Sequence, residues 1–174
     1  MVIINFVLFQ AAWFACVLGA ANDMPWLGVI ATVFVIAWHL NQAKEAKPEA
    51  ILLIITLFIG AMFDQLMLSA NLIHYESHGW SDALVPAWIL ALWAGFVTAL
   101  NVSLRWMQAK WFVAILFGAI GGPLAYMGAA RLGAVTLNIY PQSYLALSIG
   151  WAILTPVLLM LAKRYDGFQN NQSI

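Results

Sequence analysis

Charge is scarce in this chain: seven Lys and Arg and seven Asp and Glu make up 8% of its 174 residues, where an average soluble domain carries roughly 25%. So few charges cannot solvate the surface of a globule of this size. The zero net charge also removes the basic footprint that nucleic-acid binding needs, and no such partner is expected. A single cysteine, Cys16, excludes an intramolecular disulfide. There is no phosphate-cradling glycine loop, no adjacent His-Glu pair of the zinc-protease type and no Ser, His and Asp arrangement assignable from the sequence. No Lys or Arg precedes Lys44, so the apolar start lacks the basic n-region of a secretion signal and is expected to persist as an uncleaved span. His74, Glu76 and His78 have a metal-like spacing, but a solvated loop is the expectation. Neither metal nor cofactor is expected.

Apolar residues take the place of the missing charge, at 64% of the chain. A helix needs about 20 mostly apolar residues to cross a bilayer, and six stretches suit that role: residues 2–21, 25–40, 49–73, 83–106, 111–132 and 144–161. The fold class expected is all-α: a polytopic membrane protein, one domain over 1–174, built as a bundle of six transmembrane helices in a lipid bilayer. Turn-forming Asn22-Asp23-Met24-Pro25 separates the first two spans, with Pro25 placed where a helix start tolerates it. Residues 133–143 are mixed and suit an interfacial connection. The polar tail over 163–174 is expected to be mobile.

Lys44, Lys47, Arg105, Lys110, Lys163 and Arg164 all fall on one side of a six-span arrangement, and Asp23, Glu76 and Asp82 on the other. The positive-inside rule then puts both termini in the cytoplasm. Trp26, Trp80, Trp106 and Trp111 lie near span ends, as interfacial residues do.

Apart from Glu49 and Arg105 at the flanks of their stretches, only Asp64 and Arg131 fall within the apolar stretches, and ionisable groups at membrane depth are costly enough to mark a candidate site. Asp64 lies about 21 Å along its span at 1.5 Å per residue, level with Tyr126 in span five and Trp151 in span six. Gln10, Trp13 and Trp93 fall somewhat deeper, and Asn71 shares the Asp64 face at i+7. The candidate pocket or ion pair therefore comprises Asp64, Arg131, Tyr126, Gln10, Asn71, Trp13, Trp93 and Trp151. Two readings stand side by side: a ligand or proton site, and a structural staple between spans three and five. The central tryptophans likewise suit either a pocket for a flat or lipid-like molecule or bulky packing. On the opposite side His39, Asn101 and Ser103 read as interfacial polar groups. In span five, Gly118, Gly121, Gly122 and Pro123 mark a helix irregularity, with close packing plus a kink favoured over a true break.

The opening Phe9-Gln10-Ala11-Ala12-Trp13-Phe14 with Gly19-Ala20, together with Gly121-Gly122-Pro123-Leu124-Ala125-Tyr126 and Gly128-Ala129-Ala130-Arg131-Leu132-Gly133, resembles the bacterial membrane-protein family called domain of unknown function 2878 (DUF2878). That resemblance implies a bacterial inner-membrane protein and no established activity. Three functions follow as expectations. The first is binding or transport of a small amphipathic or lipid-derived molecule through an outward-facing intramembrane pocket. The second is intramembrane lipid modification with Asp64 as acid or base and Tyr126 as proton donor. The third is a non-catalytic assembly partner docking through the glycine face of span five. Oligomeric state does not follow from the residues.

Overall fold

The computed structural model describes residues 1–169. Among these residues six α-helices form: α1 Val2–Ala21, α2 Pro25–Gln42, α3 Ala46–Ser69, α4 Ala87–Leu100, α5 Trp111–Arg131 and α6 Gln142–Arg164. Four of them, α1, α3, α5 and α6, are long and apolar enough to cross a membrane. The expectation of six spans is met only in part. Helix α4 has 14 residues, or about 21 Å, against a hydrocarbon core of about 30 Å. Its upstream limit is set by Pro86, which disfavours helical geometry at Val85, so the expected helix over residues 83–86 becomes a turn. Downstream, Asn101 closes the helix and a short 3-10 turn over Arg105–Met107 follows.

Helix α4 is the centre of the bundle. Twelve of its 14 residues are buried, which is how an all-round apolar helix must sit. It packs on α1, α2, α3 and α6, while α5 packs mainly on α6. The outer helices turn large apolar side chains outward, among them Phe34, Phe58 and Phe112. A surface of that kind suits hydrocarbon and not water.

Close crossings depend on glycine. A Cβ at Gly28 would lie 2.3 Å from Cys16 Cα, one at Gly60 2.1 Å from the Trp93 ring and one at Gly118 2.1 Å from the Trp151 carbonyl oxygen. Helix α5 runs unbroken through Pro123. Proline cannot donate to the carbonyl four residues back, and Ser148 Oγ of α6 donates to that Ala119 oxygen instead, at 2.8 Å. Span five thus packs closely on α6, with the freed carbonyl satisfied by a neighbour.

The sequence reading contains no strands, yet Ile73–Tyr75 (β1) and Val135–Leu137 (β2) pair antiparallel, with Tyr75 opposite Val135. This small ladder joins the end of α3 to the end of α5. Asn71 takes a positive φ of 54° in the turn before β1, a backbone conformation that asparagine tolerates better than most residues.

Candidate functional site

The buried face of α3 reads Glu49, Leu52, Thr56, Gly60, Asp64 and Met67, a stripe at three- and four-residue spacing. Asp64 is fully buried near its far end. Three donors from three other elements meet there. Tyr75 of β1 donates its hydroxyl to Oδ1 at 2.7 Å, Trp93 of α4 donates its indole N–H to Oδ2 at 2.6 Å, and Tyr126 of α5 donates to Oδ1. The alternation of β1 explains the first: Ile73 and Tyr75 point inward and His74 outward. Burial holds the Tyr75 hydroxyl well above its ordinary pKa of 10.0, and the charge of Asp64 pushes the same way. The second donor reaches Asp64 because Gly60, one turn earlier on α3, has no side chain to hold the Trp93 ring away.

Arg131 takes no part. It is exposed at the end of α5, and among the described residues Asp64 has no cationic partner. Five helical residues separate it from Tyr126, a rotation of about 140° at 3.6 residues per turn, so it faces away when Tyr126 faces α3. The ion pair between spans three and five is thus replaced by neutral donors. Asn71 also lies elsewhere: its oxygens accept from Asn138 Nδ2 at 3.0 and 3.1 Å, closing the turn beside the ladder.

Next to the carboxylate lies a cavity of about 380 Å³, within the usual range for small-molecule sites of roughly 300–1,000 Å³. Helix α1 contributes Phe9, Gln10 and Trp13 to its wall, α4 contributes Trp88, Trp93 and Phe96, and α6 contributes Trp151 and Thr155. On the α5 side the wall is Phe117, the three glycines Gly118, Gly121 and Gly122, and Tyr126. Trp93 and Trp151 stack with centroids 4.8 Å apart and planes 4° from parallel. Of the sequence-predicted residues, the structure brings Gln10, Trp13, Trp93, Tyr126 and Trp151 to one cavity and sets Asp64 directly behind two of them. Pro123 is not part of the wall.

A second polar centre sits at the other end of the α3 stripe. Glu49 accepts from Asn101 Nδ2 at 2.8 Å and lies 3.0 Å from His39 Nε2, fully removed from solvent. The last described residues close over it. Gly167 N–H donates to Glu49 Oε1 at 2.8 Å, Asp166 pairs with Arg105 at 2.8 Å, and the Phe168 ring lies 5.0 Å from that of His39. The expectation of a mobile tail is corrected for residues 165–168, which dock because they bring a backbone donor to a buried carboxylate. Residues 170–174 fall outside the described part of the chain. Ser103 belongs to neither centre: its hydroxyl donates to Asn5 of α1. Reading Glu49 as a span flank hid it, although Glu49, Thr56, Gly60 and Asp64 already shared one helical face. The Tyr75 contribution carried no comparable sequence signal, because it depends on the ladder.

Helices suited to a multi-pass membrane protein, a cavity between them and a buried carboxylate served by aromatic donors define the class. The chain belongs to the family described as Protein of unknown function (DUF2878), whose sequence profile matches residues 2–157. No curated protein and no solved structure matches the chain.

Proposed function

We propose that this is a multi-pass protein of the bacterial inner membrane, both termini cytoplasmic, that binds one small amphipathic or lipid-derived molecule in the cavity beside Asp64. The observation that carries the reading is the cavity itself, walled by aromatic rings, one of which, Tyr126, directs its hydroxyl proton to the buried Asp64. An apolar body with one polar end fits such a wall. Access from the lipid side is supported by a groove on the outer face of α5, which shares Phe117, Gly121 and Leu124 with the cavity wall. Residues placed in that groove would lead an alkyl chain inward without passing through water.

Gly121 gives the test. A Cβ there meets only Phe117 Cε1, at 3.9 Å, so Gly121→Phe fills the mouth without forcing α5 from α6. Mass spectrometry of lipids and metabolites retained by the purified protein is expected to show one species that disappears in this variant while thermal stability is kept. An identical profile in both proteins would sink the reading.

The enzymatic reading has one observation in its favour, a cavity-lining Tyr126 whose hydroxyl donates to a carboxylate able to take or return its proton. It predicts a lipid change on gene deletion that wild type restores and Tyr126→Phe does not. Docking of a partner through Gly118 and Gly122 has less support, since α6 already fills that face.

A further inference from the structure

We propose that the molecule taken by this cavity carries a positive charge, as a lipophilic amine or a quaternary ammonium does. The inference rests on the reading of the cavity as a ligand site and adds the sign of the head group. Among the described residues no Lys, Arg or His stands in the cavity wall. A carboxylate, sulfate or phosphate head would leave water with nothing to neutralise it, at a large desolvation cost. The wall presents ring faces instead, and the quadrupole of an aromatic ring attracts cations and repels anions.

Two of these rings are polarised from behind. Trp93 donates its N–H to Asp64 Oδ2 at 2.6 Å, and Tyr126 donates its hydroxyl to Oδ1. The donated hydrogen lies in or near the ring plane, so a ring that gives it to a carboxylate becomes more electron-rich over both faces, because hydrogen bonds in a low-dielectric interior polarise one another. Trp151, stacked on Trp93, extends the platform along the cavity. Asp64 has no cation in contact among the described residues, although ionisable groups at membrane depth are usually paired. Trp93 is covered by Gly60 and Trp151, so the ring left for a positive head is Tyr126, and a head placed there, one ring away from the carboxylate, supplies that missing charge.

The test uses the full-length chain in phosphatidylcholine nanodiscs, titrated separately with decyltrimethylammonium, decanoate and decanol and followed by tryptophan fluorescence. The site-specific part of each titration is the part that Gly121→Phe abolishes. The cation is expected to bind about tenfold or more tightly than either other probe, and most of that preference is expected to vanish in Asp64→Asn. Tyr126→Phe provides the second variant, since it uncouples one ring from the carboxylate without placing an amide in the core, and a reduced preference is expected there too. Equal binding of the three probes, or a preference for decanoate, overturns the assignment of charge and leaves the cavity reading standing. A cation preference undiminished in both variants also overturns it, because Asp64 would then not be its source. If no probe gives a signal sensitive to Gly121→Phe, the cavity reading itself falls.

Discussion

Asp64 shows how a membrane-depth carboxylate is accommodated without a counter-charge. Two hydroxyls and an indole N–H hold it, each delivered by a different element. Replacing it with asparagine turns one acceptor edge into a donor edge that must face Trp93 N–H or the tyrosine hydroxyls. The expected loss is about 1–3 kcal/mol, the cost of a buried donor left unpaired, read as a lower unfolding midpoint in nanodiscs. Tyr75 adds a pH signature. Its hydroxyl pKa is raised in the folded chain, so the stability it contributes is fully present below its unfolded value of about 10 and is lost as pH rises toward the folded one. Thermal unfolding should therefore weaken above about pH 10, with a smaller loss in Tyr75→Phe; equal slopes in both proteins would refute this. Asp64 and Tyr126 could be read as level from hydropathy and depth, because a constant rise fixes who is level with whom, whereas the same count set Trp93 deeper although it donates to Asp64. Tyr75 could not, since a residue in a polar connection enters the core only once a three-residue ladder turns it inward.

Among the elements, α5 is the most demanding. Its glycines let α6 approach, and its proline frees a carbonyl that only α6 can satisfy. Ser148→Ala removes that donor, and a loss of about 1 kcal/mol is expected, in the range of interhelical hydrogen bonds in membranes. Thermal unfolding is the measurement, and Ser148→Thr, which keeps the hydroxyl, should recover most of the loss. Small-xxx-small spacing foretold the close crossing but not the partner, because the same spacing serves a second chain as well as a neighbouring helix. Helix α4 was misjudged in length for a different reason. Hydropathy measures how apolar a segment is, and a segment enclosed by protein on all sides scores like one facing lipid.

For the molecule as a whole, the segment after α6 closes the bundle at its basic end. A Cβ at Gly167 would lie 2.2 Å from the Glu45 carbonyl oxygen and 2.8 Å from Glu49 Cγ. Gly167→Ala should therefore cost about 1–3 kcal/mol, as overpacking does, and expose the segment to carboxypeptidase; unchanged digestion and midpoint would contradict its docking. Glu49 then gains a meaning beyond its own contacts. It ties α3 to α4 through Asn101, and Asp64 ties the same two helices through Trp93, 15 residues further along α3. Sliding one helix past the other by a single turn, about 5.4 Å, would rupture both fastenings at once and strand two buried acids. The central pair is locked in register at both ends, like a ruler pinned at two marks, and the bundle keeps a fixed axial reference against which its other helices are set.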